Sequence, residues 1–313
     1  MGKHLAEFLV GGKYEICAIA NDTNPGGEKD TAPFARYFRA DITDEAEMTR
    51  VLRECAPHHV YHLAAVSSLS GASQQERLAF DVNVWGTRNV LQASACVTPP
   101  PRVLNVSSSQ VYGNTCEAPI DETVPINPAN VYAATKAMAE SWAHLYRDKL
   151  EVVTARSFNH TGPGQSDAFV LPYLARRIAE IEAGLTDAVI RVGNLDVERD
   201  FTDVRDVARA YSMLMGAGEA GEIYNVCSGR YYRLSDLLDI LLSFSQCKTT
   251  IEADQSRRRS DDPRRIWGDH AKLTERTGWQ PTIPIEQTLQ DMLDYWRALV
   301  ATRSVELGKS YSA

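Results

Sequence analysis

The sequence predicts an α/β fold: a doubly wound parallel sheet with helices on both faces, followed by a smaller α/β lobe. Strand-like apolar runs alternate with helical patterns through the first half of the chain, the order expected of β-α-β units. The runs are short and read as strands buried on both faces, as strands covered by crossover helices are. After Phe158 the alternation loosens at Gly162-Pro163-Gly164 and the strands shorten. Ligands of such a sheet bind in the crevice at the carboxyl ends of its strands.

Residues 14–20 (Tyr-Glu-Ile-Cys-Ala-Ile-Ala) read as a strand and 44–54 as a helix. Residues 59–63 (His-Val-Tyr-His-Leu) are a strand, 78–96 a long helix, 102–106 a strand, 130–150 a helix and 151–156 a strand. In the second part, 169–183, 234–244 and 285–299 have helical patterns, and 189–192 and 222–226 are short strands. Residues 301–313 show no periodicity and read as a frayed tail.

With 313 residues and 34.7 kDa the chain can bury a large core, in one big domain or two lobes. A net charge of −8 argues against nucleic acid as a partner. The run Arg257-Arg258-Arg259, with Arg264-Arg265, suits either a pocket for a phosphorylated ligand or a solvated basic loop. Six cysteines are scattered with no Cys-x-x-Cys, and no residues fall at metal-ligand spacing, so no metal is expected. No apolar stretch approaches the ~18 residues of a membrane span. Residues 5–10 are too short for a signal-peptide core, and Ala6 stands where a myristoylation signal wants Ser or Thr. These features predict a soluble, cytoplasmic protein.

Tyr132, Lys136 and Ser108 are the most informative side chains. In Val131-Tyr-Ala-Ala-Thr-Lys136 the phenol and the ammonium lie one helical turn apart and project from one face. A nearby cation favours the phenolate, so Lys136 is expected to lower the Tyr132 pKa and make it a general acid or base near neutral pH. Ser108, at the end of a predicted strand, can hydrogen-bond the same substrate oxygen. Chance alone supplies roughly a third of a Tyr-x-x-x-Lys match in such a composition, and an amphipathic helix with an outward lysine also explains it. Its context raises it: a strand, Ser107-Ser-Ser-Gln-Val-Tyr-Gly113, a Pro-rich loop, then this helix.

That order resembles the extended short-chain dehydrogenase/reductase superfamily, whose members work on nucleotide-activated sugars. Three downstream runs resemble its GDP-hexose branch: Arg156-Ser-Phe-Asn-His-Thr-Gly-Pro-Gly-Gln165, Val192-Gly-Asn-Leu-Asp-Val-Glu-Arg-Asp-Phe-Thr-Asp-Val-Arg-Asp206 and Tyr224-Asn-Val-Cys-Ser-Gly229. The Phe-Asn-His-x-Gly-Pro-Gly-Gln form is nearest to the reductases of that branch. Similarity spans about residues 2–299 and includes Gly278-Trp-Gln-Pro281, a common closing turn. It implies a Rossmann-type NAD(P)-binding domain over 1–158, a mainly GDP-sugar-binding lobe over 159–300 and a tail over 301–313.

By the same resemblance, the chain opens inside the cofactor motif. Such folds begin with a strand and a glycine-rich turn whose amides and following helix hold the pyrophosphate. Residues 1–10 look like that helix, with Gly2 the last glycine of the turn; the first strand and two glycines are missing. Either an internal methionine stands as the start of a longer protein, or this is a natural variant without cofactor binding. The intact remainder favours the first, and this chain is expected to bind NAD(P)H poorly. His62-Leu63-Ala64-Ala65 resembles the small-residue turn that approaches the cofactor ribose. Asp41-Ile42 resembles the pair that cradles adenine, although an aspartate opening a helix is also an N-cap. Tyr132 and Lys136 would reach the nicotinamide ribose, and Asn83 in Asn-Val-Trp-Gly-Thr87 would sit near the active-site helix. Asp22 and Lys29 leave NAD(H) against NADP(H) open.

On the substrate side, the resemblance gives Asn159 and Arg199 to the sugar diphosphate, Arg259 to a clamp on it and Asp262 to the nucleotide ribose. Arg257 or Arg258 could take the Arg259 role, since a guanidinium fork suits phosphate from any of them. Gln110 and Val170 complete the implied contacts. In the branch's dehydratases a carboxylate two positions after the catalytic Ser or Thr removes the proton α to a transient ketone. Here that position is Gln110, an amide that is no base at neutral pH. Loss of a positioned base costs about 10²–10⁴ in proton transfer.

The resemblance therefore implies reduction, by NADP(H) or NAD(H), of the C4 ketone of GDP-4-dehydro-6-deoxy-D-mannose to GDP-D-rhamnose. Tyr132 would protonate O4 and Ser108 would hydrogen-bond the developing oxyanion. A GDP-mannose 4,6-dehydratase, a nucleotide-sugar 4-epimerase and a catalytically silent binding protein are the alternatives. Helices 78–96 and 130–150 resemble those that pair across a dimer interface in the superfamily, so a homodimer is expected, with neither nucleic acid nor membrane as partner.

Overall fold

The structure, a computed structural model, describes residues 1–12, 14–21, 34–67, 69–114, 118–257 and 263–310. The first part runs α1 (Gly2–Gly11), β1 (Cys17–Ala20), β2 (Arg36–Arg39), α2 (Glu45–Cys55), β3 (His59–His62), α3 (Leu69–Gln74) and α4 (Glu76–Phe80). A π-helical turn, Asp81–Gly86, leads into α5 (Thr87–Ala95). β4 (Arg102–Ser108), a 3-10 turn (Ser109–Tyr112), α6 (Val131–Leu145) and β5 (Val152–Ser157) follow. Then come β6 (Asn159–Thr161), α7 (Val170–Glu182), β7 (Val189–Val192), β8 (Glu198–Arg199), β9 (Phe201–Asp203), α8 (Val204–Ala217) and β10 (Ile223–Val226). β11 (Tyr232–Arg233), α9 (Leu234–Ser243), β12 (Thr250–Ala253), β13 (Arg265–Ile266), α10 (Ala271–Thr277) and α11 (Ile285–Ser310) complete the order.

The large sheet is parallel throughout, with the order β10–β5–β4–β3. β1 and β2 form a separate parallel pair, so the strands fall into two hydrogen-bonded pieces. Packing joins them: Met48, Val51 and Leu52 of α2 share a buried cluster with Val90 and Ala93 of α5. α1 and α8 cover one face of the sheet, Leu5, Leu9, Tyr211 and Leu214 meeting Leu104, Val153 and Ala155. α5 and α6 cover the other, Leu91, Ala143 and Tyr146 meeting Val103 and Val152. Adjacent strand residues point to opposite faces, which is why β4 and β5 bury apolar residues on both faces and the alternation was readable.

The second part builds around Ile190, with Leu174 and Ile178 of α7, Leu237 and Leu241 of α9, and Leu289 and Leu293 of α11. Its strands pair as β7 with β12, β6 with β9, and β8 between antiparallel β11 and parallel β13. α8 and β10 return from it to the large sheet, β10 pairing with β5.

Four expected elements change. The strand at 14–20 is confined to Cys17–Ala20, the stretch that finds a partner in β2. The helix at 78–96 begins at Glu76 and carries the π turn. α6 ends at Leu145, because Tyr146 N–H is shared between the Trp142 and Ala143 carbonyls and the backbone tightens there. The tail is helical to Ser310. A formed helix extends at small cost per residue, so a helical end can lack periodicity in the sequence.

Candidate active site

β4 and α6 set the centre of the crevice. Ser108 is the last residue of β4, and its Oγ accepts from the Gln110 N–H at 3.3 Å as the chain turns. Asn130 caps α6, its Oδ1 accepting from Ala133 N–H at 2.9 Å, which puts Tyr132 in the first turn and Lys136 one turn on. Its other end, Asn130 Nδ2, donates to Gln110 Oε1 at 3.5 Å. The Ser108 hydroxyl acts on the Tyr132 phenol, and Lys136 Nζ donates to the Val106 carbonyl at 2.6 Å. The expected trio and Gln110 are therefore brought together.

The electrostatics differ from expectation. Burial pushes the Tyr132 pKa up, opposed by the Ser108 hydrogen bond, where a cation one turn away predicted a lowered value. Burial also pulls Lys136 down to about 8, with Glu140 opposing it. Lys136 turns its charge to the strand carbonyl and does not pair with the phenol. Desolvation of the charged form wins at both residues.

Towards the expected cofactor side, His62 ends β3 as a buried ring, its Nε2 2.9 Å from Thr87 Oγ1. Burial, helped by the Lys136 charge, drops its pKa to about 3 and keeps it neutral. Leu63, Ala64 and Ala65 then leave the strand, and Asn83 fixes the next residue: its Oδ1 accepts from Val66 N–H at 2.8 Å, and its Nδ2 donates to Val66 O at 3.2 Å. Asn83 Nδ2 also donates to Thr135 Oγ1 of α6 at 2.9 Å. Gly2 lies beside Leu63. Ile42 packs against Gly86, where a Cβ would lie 2.5 Å from its Cδ1. Asp41 is not a helix cap: its Oδ1 accepts from the Thr43 N–H and hydroxyl at 2.9 and 2.8 Å, and Asp44 caps α2 through Glu47 N–H at 2.9 Å. These residues fit a nicotinamide dinucleotide. Ala64 and Ala65 offer nothing larger than a methyl to a passing ribose, and Lys136 has three N–H donors of which Val106 O takes one.

On the substrate side, Asn159 follows β5 at the same end of the sheet as Ser108, which pairs with Ser157. Asn159 Nδ2 donates to Asp200 O at 3.2 Å. Arg199 is buried and donates to the Glu198 and Arg264 carbonyls at 2.7 and 3.4 Å. Val170 is the exposed first residue of α7. Arg257 lies 4.3 Å over the Tyr173 ring and donates to Asp254 at 3.1 Å. Asp22, Lys29, Arg258, Arg259 and Asp262 lie outside the described residues.

Sequence reasoning missed two buried groups. Asp200 accepts from Ser228 N–H and Oγ–H at 2.8 and 2.7 Å and from Gly229 N–H at 3.0 Å, fixing the loop after β10. Burial raises its pKa to about 6. The other is the pair Glu140–Arg156, both under a tenth exposed. Arg156 and Asp200 lie inside the motif runs 156–165 and 192–206 and Glu140 one turn past Lys136, but their partners are distant in sequence. Among the described residues no cluster of three or more His, Cys, Asp or Glu could hold a metal ion, and no helix is long and apolar enough to cross a membrane.

A family model for GDP-mannose 4,6 dehydratase matches residues 1–292. The chain belongs to the GDP-mannose 4,6-dehydratase family. Within it, the chain is 40% identical over 248 residues to the GDP-6-deoxy-D-mannose reductase of Pseudomonas aeruginosa, covering 78% of this chain and 82% of that protein. It is 26% identical to a GDP-mannose 4,6-dehydratase of Vibrio cholerae, over 93% and 90% of the two chains. Among solved structures, RMD from Pseudomonas aeruginosa complexed with NADPH matches with a TM-score of 0.79 and 34% identity, over 90% of this chain and 99% of that one. The UDP-glucose 4-epimerase of Thermus thermophilus in complex with NAD matches with a TM-score of 0.83 and 26% identity, over 95% of each. This family member thus has the Rossmann-like α/β fold of its neighbours.

Proposed function

We propose that this protein reduces the C4 ketone of GDP-4-dehydro-6-deoxy-D-mannose to GDP-D-rhamnose, using NADPH or NADH. The observation that carries the reading is Gln110: an amide follows Ser108 where a dehydratase would place its carboxylate base, inside an otherwise complete Ser108–Tyr132–Lys136 site. The likeness to the Pseudomonas aeruginosa reductase supports it.

The bound reduced nicotinamide would supply hydride to C4. Tyr132 and Ser108 would converge on O4. Tyr132 gives its proton to that oxygen, and Ser108 donates a hydrogen bond as negative charge grows there. The raised Tyr132 pKa keeps the phenol protonated at neutral pH, the state that a proton donor needs. Lys136 holds the nicotinamide ribose and places its positive charge beneath the site.

Asn159 and Arg199 would hold the sugar diphosphate, with Arg259 as clamp, Asp262 on the nucleotide ribose and Val170 at the mouth of the lobe. Asp41, Ile42, Leu63, Ala64, Ala65 and Gly2 would line the cofactor, in a domain of residues 1–158 opposite a lobe of 159–300. The exposed Trp85, Met138 and Leu145 support a homodimer through the π turn and α6, and the cytosol is the compartment proposed.

The test follows oxidation of NADPH and NADH by the purified protein, with substrate made in situ by a separate dehydratase. One cofactor should be consumed per GDP-D-rhamnose formed; GDP-6-deoxy-D-talose as product would reverse the face of attack. Consumption of GDP-mannose without added reductant would establish a dehydratase instead. Exchange of 4-epimers without net cofactor use would establish an epimerase.

A further inference from the structure

Beneath the reacting face of α6 lies a charged group that the chemistry above does not use. Glu140, one turn beyond Lys136, is buried against the sheet. Its carboxylate takes both arms of the Arg156 guanidinium, Nε at 2.9 Å and Nη2 at 2.7 Å, and the Ser107 hydroxyl at 2.5 Å. Arg156 lies 4.8 Å over the Tyr112 ring, and Tyr112 OH donates to Asn225 Oδ1 at 2.8 Å. Ser107 and Arg156 face each other across β4 and β5, one residue before the Ser108–Ser157 pair. One buried ion pair thus ties α6 to both strands at the level of Ser108.

Such a pair stabilises a fold no better than well-packed apolar residues of the same volume. Its place suggests another use. We propose that Glu140 and Arg156 are positioning residues for the reduction: the pair fixes the register of α6 against Ser108, and Arg156 meters how much of the Glu140 carboxylate charge reaches Lys136. The inference rests on the reductase reading only for the reaction that it serves. The titratable and charged groups about Lys136 are Tyr132 and Glu140 on its own helix, His62 on β3 and Arg156 on β5, with Tyr112 beyond Arg156 and Tyr211 of α8 beyond Tyr132. His62 stays neutral near pH 7, so Glu140 and Arg156 supply the fixed charges.

Opposite signs follow. Glu140→Gln removes the anion that favours charged Lys136, so Lys136 loses its proton at lower pH. Arg156→Gln frees the carboxylate for Lys136, which then holds its proton to higher pH. Removing both charges at once cancels the two effects.

The experiment measures kcat and KM against pH for the wild type, Glu140→Gln, Arg156→Gln and the double variant, together with the pH dependence of NADPH binding followed by nicotinamide fluorescence. In Glu140→Gln the alkaline limb of kcat should move down by about one pH unit, and kcat should fall about fivefold at pH 8 with the sugar KM within about twofold. In Arg156→Gln the limb should move up, and in the double variant, which keeps the buried site charge-balanced, it should return towards wild type. Limbs that move together or stay in place would overturn the proposal, whatever the loss of stability. NADPH binding needs no sugar. Opposite shifts in binding alone, with no turnover by the wild type, would uphold the pair's role and sink the reductase reading.

Discussion

At Tyr132, burial keeps the residue in its protonated, proton-donating form in the free protein. Ser108 steadies the hydroxyl. Tyr132→Phe should lower kcat about 10²–10⁴-fold while leaving nucleotide-sugar binding near wild type; steady-state rates and calorimetric binding check both halves. His62 makes a second prediction. Its folded pKa, near 3, lies below the ordinary 6.5, so the unfolded chain binds more protons between those values. Its contribution is fully present above about pH 6.5 and is lost as pH falls towards 3. At pH 5 the loss is about 2 kcal/mol. The melting temperature should therefore drop between pH 7 and pH 5, and His62→Gln, which still reaches Thr87, should flatten that drop. The trio itself was legible, because helical spacing alone places Tyr132 and Lys136 on one face. The direction of the Tyr132 shift was not, since it depends on burial contributed by elements far along the chain. Arg156 and Glu140 carried no local signal either: their meeting requires α6 to lie across β5.

Among the elements, the π turn has the largest consequence for the site. The wider turn at Asp81–Gly86 keeps α4 and α5 in one path while aiming Asn83 at Val66 and Thr135. Asn83 therefore ties the loop after β3 to the helix that carries Tyr132. Asn83→Ala leaves the half-buried Val66 amide and carbonyl without their side-chain partners, at a cost of about 1–2 kcal/mol. Thermal melts should show that cost, and fluorescence titration should show NADPH affinity falling about tenfold. A π turn has no hydrophobic period of its own, so 78–96 reads as ordinary helix. β4 and β5 were easily seen because each holds a short run with apolar residues on both faces. The length of β1 was not, for it is set by its partner β2. The far end of α11 escaped because residues 301–313 show no apolar periodicity in the sequence.

The whole molecule presents two long helical paths with large apolar side chains outside. Trp85 and Trp142 stand 6.0 Å apart between the π turn and α6, with Met138 and Leu145 exposed nearby. If these faces pair between copies, light scattering should give twice the chain mass, and Trp85→Glu with Leu145→Glu should return the monomer. A monomeric wild type would remove the dimer proposal.

The division of the parallel strands has its own consequence for dynamics. Among the described residues, no strand pairing joins β1–β2 to β3–β4–β5–β10. Side chains do that work, through Asn89 to the Ile42 and Thr43 carbonyls and Arg88 to Glu45. The smaller piece can therefore separate without breaking a ladder, and its amides should exchange with solvent as one group, well before those of β4 and β5. A dinucleotide lying from Asp41 and Ile42 on one piece to Ala64, Ala65 and Lys136 on the other would act as mortar between them. At a hundredfold excess over its dissociation constant, it would slow that exchange by about 2.7 kcal/mol and leave the β4–β5 core almost unchanged. Cofactor binding would then be legible as a local stiffening of β1, β2 and α2, even in an assay with no sugar present.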